Sequence, residues 1–362
     1  MPPGAKIAKT YLTRGGLLAI ELQKFIRRFL SLPAKAQALL AIWIMHTHVF
    51  DEFEFTPYLN IVSPEPGCGK TTAGDVLSAF CCRATSPTSG SAAVLRRKIA
   101  TDKPTLIIDE WDSMDHTVRK SCLNFLNTGF RSDGTYSVVA GSKIVEMSTF
   151  CPKAIVGRSV VALPDATFSR CISLTMQKAL PGENLEKFRA PQREAAALLR
   201  QQCEQWAAGF RAKKVRVAPV MPESLTHRQA DISEPVLVIA DDCRGPWPLL
   251  IREALLNLFS ERQIPTPENE LLRAVQRFTA ERSGKFFISQ AFCAWANEQE
   301  ETPWSDRPLT PAKLAGMLKI YDIFPTQINR VISGKQKNGR GYFVPQFRDA
   351  LARYVDAPSS GR

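Results

Sequence analysis

No apolar run in this 362-residue chain is long enough to cross a bilayer. The longest, Ala38 to Met45, falls far short of the ~20 residues a spanning helix needs. Metal-binding patterns are missing too: the nine cysteines and four histidines include no C-x-x-C pair and no zinc-ligand spacing. Cys81 and Cys82 are adjacent and do not readily pair with each other, while Cys122 and Cys203 lie in apolar surroundings. The set reads as buried free thiols of a reducing compartment. Lys6, Lys9 and Arg14 precede a mild apolar stretch without a signal-peptide cleavage pattern. The expectation is a cytoplasmic protein with no membrane partner. Internal repeats and low-complexity tracts are absent, as is any primase, nuclease or protease constellation. His46 and His48, two apart near the end of a predicted helix, point in different directions and read as packing residues rather than metal ligands.

What is present is positive charge. Lys and Arg number 47 against 35 Asp and Glu, a formal net charge of +12. That excess suits a polyanionic partner such as nucleic acid, although a basic protein without one has the same composition. Apolar residues make up 44% of the chain and charged residues 23%, an ordinary globular balance. Helical periodicity covers residues 1–55, where Leu17, Leu18, Ile20, Leu22, Phe25, Ile26 and Phe29 recur at helical spacing and Ala34 to Phe50 reads as a second, apolar helix. Strands are predicted at Tyr58–Val62, Thr105–Ile108, Lys153–Val156 and Cys171–Met176, alternating with helices at Lys70–Phe80, Ser91–Ile99 and Val118–Phe130. That alternation predicts a parallel α/β sheet over residues 56–180. Two β-biased runs, Tyr136–Ala140 and Ile144–Thr149, predict a hairpin. A helical stretch over 181–263 follows, and Ile264-Pro265-Thr266-Pro267 separates a last unit, 268–356.

Between the first strand and the next helix stands Ser63-Pro64-Glu65-Pro66-Gly67-Cys68-Gly69-Lys70-Thr71-Thr72. It matches G-x-x-x-x-G-K-[ST] except that Pro64 holds the first Gly position, which stiffens the entry to the loop. Glycines let backbone N–H groups close around phosphate oxygens, and the helix N-terminus adds positive partial charge. The expected binding set is Pro66, Gly67, Cys68, Gly69, Lys70, Thr71 and Thr72, with Lys70 reaching the β- and γ-phosphates of ATP and Thr71 holding Mg²⁺. About forty residues on, the apolar strand Thr105-Leu106-Ile107-Ile108 ends in Asp109-Glu110. There Asp109 is expected in the magnesium shell, and Glu110 is expected to orient and polarise the attacking water. Two solvated acids at a strand end are the alternative.

With these residues the chain resembles the AAA+ P-loop ATPases. More closely it resembles an uncharacterised domain family found fused to primase or helicase modules of phages and mobile elements. Thr56-Pro57-Tyr58-Leu59, Lys103 to Glu110, Leu126-Asn127-Thr128-Gly129-Phe130-Arg131, Leu163-Pro164-Asp165 and Trp247-Pro248 carry the likeness, from about Leu39 to Ser260. The resemblance implies a ring, a hexamer or related assembly, in which one subunit's arginine completes its neighbour's site. Phe168-Ser169-Arg170-Cys171, just before a core strand, makes Arg170 that arginine; a surface or salt-bridging arginine is the alternative. It places one polar sensor near Gly157, Arg158 or Ser159, with Arg158 the candidate. A second falls at Arg252 in the helical lid, unless that is an ordinary exposed helix arginine. Arg228, Asp231 and the Phe130-Arg131 step belong to the same pattern without an assigned role.

The same resemblance puts the hairpin in a pore, with Lys143 beside the Gly141-Ser142 tip contacting a nucleic-acid backbone; an edge hairpin with a solvated lysine is the alternative. In the last unit, Ser333 to Phe343 reads as a basic wing carrying Lys335, Lys337 and Arg340. Thr326 to Ile332 reads as the end of a recognition helix carrying Arg330, in the order of a winged helix. Such domains also bind protein. The expectation is therefore a DNA-dependent ATPase ring, a replicative helicase or origin-processing motor of a mobile element. Primase or another replication protein would be a partner. The rivals are an ATP-driven loader or switch that remodels a partner protein, and a non-enzymatic DNA-binding scaffold.

Overall fold

The computed structural model describes residues 12–355 except positions 66, 87–91, 110, 112–115, 141–142, 159–162, 181, 214–216, 262–266, 283, 300–301, 303, 305–307 and 333–334. Some side chains within elements, among them those of Arg158, Arg330, Lys335 and Lys337, also lie outside the described set. The chain divides into two units, Met1–Arg262 and Gln263–Arg362.

The first unit runs α1 (Arg14–Arg27), α2 (Ala34–Thr47), β1 (Tyr58–Ser63), α3 (Lys70–Phe80), α4 (Ala92–Asp102), β2 (Leu106–Ile108) and α5 (His116–Thr128). A hairpin of β3 (Thr135–Ala140) and β4 (Lys143–Ser148) comes next. It leads to β5 (Lys153–Arg158), α6 (Asp165–Phe168), β6 (Cys171–Thr175), α7 (Ala190–Arg211), α8 (His227–Cys243) and α9 (Trp247–Glu261). Four strands form an all-parallel sheet in the order β2-β5-β1-β6. They read as almost unbroken apolar runs because both faces are covered. Side chains alternate between the faces. Leu59, Ile61, Ile107, Val156 and Leu174 join one core with α3 and the helices, while Tyr58, Leu106, Ile108, Ile155 and Cys171 join the other with α4 and α5.

Helix α2 is apolar around its whole circumference and accordingly buried along its length. It packs among α1, α8 and α9, and Trp43 Nε1 donates to the Pro57 carbonyl at 2.9 Å. The N-terminal helices and the later helical stretch, far apart in sequence, thus form one bundle on one face of the sheet. Lys153, at the start of β5, is fully buried. Its ammonium donates to the carbonyls of Gly129, Thr149 and Cys151 at 3.1, 3.0 and 2.9 Å and lies 4.8 Å from the Tyr58 ring centroid. Burial pushes its pKa down, but the three acceptors compensate an otherwise costly charge and tie the exits of α5 and the hairpin to the sheet.

Both histidines of α2 and its C-cap are packing residues: Nε2 of His46 bonds the Thr56 hydroxyl at 2.9 Å and that of His48 bonds the Phe80 carbonyl at 2.9 Å. Burial pushes His46 down to about 3 from an ordinary 6.5. The unfolded chain therefore binds the proton more readily, and the contribution of neutral His46 is present above pH 6.5 and lost as pH falls towards 3. Stability should drop by up to ~1.4 kcal/mol per pH unit over that window from this group alone. Replacing His46 by Gln should flatten the acid side of the melting-temperature profile relative to wild type; parallel profiles would contradict this.

The second unit comprises α10 (Pro267–Arg282), β7 (Phe286–Ile288), α11 (Ser289–Asn297), α12 (Pro311–Leu318), β8 (Thr326–Ile332), β9 (Lys335–Phe343) and α13 (Arg348–Tyr354). Its sheet has the order β7-β9-β8 over a core that includes Phe278, Phe287, Phe292, Trp295 and Tyr342. One expectation is corrected: Thr326 to Ile332 is not the end of a helix. It pairs antiparallel with β9 from Thr326↔Gly341 to Ile332↔Lys335, so Arg330 lies on a strand. The helix preceding the hairpin is α12, whose exposed face carries Lys313.

Candidate functional site

The carboxyl ends of the parallel strands converge on the loop after β1. Gly67 and Gly69 take left-handed backbone angles, φ 82° and 88°, which other L-residues adopt at a cost. A side chain on Gly67 would meet nothing within 4 Å; the glycine answers a backbone demand. Gly69 is also the N-cap of α3, and no side chain caps that helix, leaving its amino end to a phosphate-type acceptor. Cys68 turns inward and is buried. Lys70 Nζ donates to the Ser63 hydroxyl at 3.3 Å, and that hydroxyl donates to the Glu65 carbonyl at 2.9 Å. The ammonium is thus parked over the end of β1. Thr71 is exposed and Thr72 half-buried on the first turn of α3. Pro66 lies outside the described residues.

Asp109 follows the end of β2, half-buried. A Cβ built on Gly74 would stand 3.2 Å from its Oδ2, so the carboxylate lies against α3 and glycine permits the approach. Gly74 is three residues after Thr71, on the same helix face; Asp109 therefore approaches the side of α3 that carries the Thr71 hydroxyl. Glu110 lies outside the described residues. Strand β5 runs between β1 and β2, and its last residue, Arg158, stands in register with Ser63. Arg158 is thereby at the loop by its backbone; its side chain is outside the described set. Beyond β2, Trp111 stays against β5, its N–H donating to the Val156 carbonyl at 3.2 Å. The residues present fit a magnesium–nucleotide: a glycine cradle, a lysine ammonium on the Ser63 hydroxyl, and a threonine hydroxyl on the helix face that the Asp109 carboxylate approaches.

Arg170 is elsewhere. It precedes β6, whose first residue pairs with Tyr58 at the start of β1, so it sits at the amino ends of the strands. Five residues of strand separate it from the loop edge, about 16 Å at ~3.3 Å per residue. It cannot serve the loop of its own chain. Its guanidinium carbon lies 4.6 Å from the Phe130 ring centroid and it donates to the Ala166 carbonyl. Arg228, from the first turn of α8, lies over the same ring at 4.6 Å. Burial, with the charge of Arg228 beside it, lowers the pKa of Arg170. Arg131 is separate, paired with Asp133 at 3.0 Å and Glu54 at 3.5 Å.

Arg252 has its fork filled. It donates to both oxygens of Asp241 at 2.7 and 2.9 Å, to the Pro248 carbonyl at 2.9 Å and to that of Val220 at 3.1 Å. In this arrangement it ties α9 to α8, and those bonds would have to break before it met a nucleotide.

The hairpin stands outside the main sheet, held by Arg96, which donates to the Tyr136 hydroxyl at 2.8 Å. Lys143 is exposed opposite Ala140. The paired residues Val139 and Ile144 beside it are 78% and 74% exposed. Sequence reasoning took the lysine and passed over this apolar pair, although the Val-Val and Ile-Val steps were visible as its signal. Arg340 is exposed on β9; the side chains of Arg330, Lys335 and Lys337 are outside the described residues. Among the described residues no three His, Cys, Asp or Glu cluster as a metal site and no helix is long and apolar enough to cross a membrane. The nine cysteines are thiols outside any disulfide.

Residues 175–354 match the model of a family described as a protein of unknown function (DUF3631). That stretch begins after the phosphate loop and reaches through the second unit, further along the chain than the expected span of likeness. An uncharacterized 28.9 kDa protein in xis 5′region of Saccharopolyspora erythraea is 29% identical over 189 residues, 51% of this chain and 70% of the relative. Among solved structures, the A form apo structure of the NrS-1 C terminal region superposes with a TM-score of 0.47 at 13% identity, covering 90% of this chain and 75% of that one. The apo structure of NrS-1 C terminal region (305-718) gives 0.44 at 14% identity, with 92% and 76% covered.

Proposed function

We propose that this chain is a DNA-dependent ATPase of the AAA+ kind, working as an oligomeric ring in the replication of a mobile element. The observation that carries the reading is the convergence at the carboxyl ends of β1, β5 and β2: Lys70 on Ser63, and Asp109 against the Thr71-bearing face of α3. Ligands of open parallel sheets bind in that crevice. Backbone N–H groups of Gly67 to Thr72 hold the phosphates, and Lys70 moves from Ser63 onto the β- and γ-phosphates. Thr71 and Asp109 hold magnesium, which when bound neutralises phosphate charge. Glu110 orients the attacking water and takes up its proton. Arg170, too far to act in its own chain, stabilises charge on the γ-phosphoryl group of a neighbour.

In the second unit the order helix, strand, helix, helix, hairpin supports a winged helix, with α12 as the helix before the wing and Lys313 and Arg340 among its exposed cations. Lys143 supplies a backbone contact without sequence information. Turnover measured with and without single- and double-stranded DNA tests the reading. Stimulation that vanishes in Glu110→Gln, and that Lys143→Ala reduces, is the expected result. Val139 and Ile144 favour a second reading, a loader or switch that grips a partner protein through the hairpin tip. Hydrolysis indifferent to DNA would select it, and no hydrolysis at all would remove both.

A further inference from the structure

Arg170 and Arg228 come from segments far apart in sequence and meet on one ring. Each guanidinium carbon lies 4.6 Å from the Phe130 centroid, so the two cations are at most twice that apart. Cation–π attraction to Phe130 is worth only ~0.5–1 kcal/mol per cation at partly exposed sites. Of the acids of this edge, Glu54 and Asp133 lie on Arg131, Asp231 reaches Arg228 at the long distance of 4.0 Å, and Glu234 lies near Glu54 and Asp231, its pKa raised by partial burial and by their charge. Among the described residues no carboxylate stands within ion-pair distance of Arg170. Nε of Arg170 and Nη1 of Arg228 are both buried with no hydrogen-bond partner. A buried unsatisfied donor is costly, and two on adjacent like charges describe a site made for an anion.

We propose that Arg170 and Arg228, both held on Phe130, form a two-arginine anion site, and that its anion is the terminal phosphate of a nucleotide bound by a neighbouring copy of this chain. This rests on the reading of the phosphate loop as an ATP site and of Arg170 as trans-acting. It adds Arg228 as a second contact to the same phosphate. Placement supports the assignment. The pair lies at the amino ends of the strands, remote from the chain's own loop, so a nucleotide held by that loop is not the one it meets. Arg228 opens a bundle helix, whereas Arg170 leads into the sheet. An anion held by both clamps bundle to sheet, so one subunit's nucleotide state bears on its neighbour's two layers. Phe130 is the positioning residue: it sets the spacing of the two cations without touching the phosphate.

Subunit mixing tests this. Arg228→Ala alone should lower kcat on the order of 10²-fold, as loss of one donor to a transition-state oxyanion does, with KM little changed. Arg228→Lys, which keeps the charge but not the fork, should fall between. Lys70→Ala alone should be inactive. A mixture of Arg228→Ala and Lys70→Ala subunits should recover activity, because some interfaces then join an intact loop to an intact Arg228. Sedimentation with a non-hydrolysable ATP analogue should show weaker association for Arg228→Ala at an unchanged melting temperature. Wild-type turnover by Arg228→Ala overturns the proposal, as does failure of its mixture to recover while the Arg170→Ala with Lys70→Ala mixture does; the trans reading of Arg170 then survives. Failure of both mixtures, with wild type active, removes the trans reading itself, and an inactive wild type removes the ATPase reading beneath it.

Discussion

Lys70→Ala is expected to weaken ATP binding by one to two orders of magnitude and to stop turnover, while leaving the fold intact. The ammonium's contact is the Ser63 hydroxyl at 3.3 Å, a long bond whose loss costs little. Its replacement partner, a phosphate oxygen, forms a charge-assisted bond worth roughly 1.5–3 kcal/mol, or about 10–150-fold in affinity. Turnover falls further, because charge builds on the oxygens that Lys70 contacts as the γ-phosphoryl group leaves. Equilibrium binding of a fluorescent ATP analogue and steady-state phosphate release measure the two effects separately. Unchanged affinity would mean that Lys70 stays on Ser63 and that the loop serves another ligand.

Arg170→Ala should behave oppositely, with nucleotide affinity near wild type and kcat reduced on the order of 10³-fold, the lower range for a trans-acting arginine. The split follows from position: Arg170 lies at the amino ends of the strands, a full strand's length from the loop of its own chain. Its local contacts, the Phe130 ring at 4.6 Å and the Ala166 carbonyl, contribute little to stability, so the melting temperature should barely move. Wild-type turnover per subunit should also rise with protein concentration until assembly saturates, and Arg170→Ala should stay flat throughout. Turnover that is independent of concentration in wild type, or intact in the variant, would show that each chain completes its own site.

The elements that shape the site follow local rules and were legible. An apolar run into Gly67-Cys68-Gly69-Lys70 specifies strand, left-handed turn and helix start, because each demand is met within a few residues. Asp109 at a strand end is equally local, and so is the buried helix over Ala34–Thr47. The hairpin differs from expectation by one residue at the start of its first strand and by a one-residue shift of its second. Thr326 to Ile332 was misread because its composition suits either a helix end or a strand, and partners decide such cases. Here β9 decides: a Cβ on Gly341 would stand 2.1 Å from the Phe287 carbonyl, so the glycine is what lets β9 lie between β7 and β8.

By itself the sequence determined the turn through Gly67 and Gly69 into a helix, the place of Asp109 after a buried strand, and the alternation of strand and helix, since these depend on residue types at short spacing. Tertiary structure alone decided the rest. It inserted β5 between β1 and β2, bringing Arg158 beside Ser63. It gathered α1, α8 and α9 around α2, committed Arg252 to Asp241, and set Arg170 and Arg228 on one phenylalanine ring. Lateral strand order and side-chain partners are chosen by which buried surfaces and hydrogen bonds can be satisfied together, and those belong to residues that no short window of sequence holds at once.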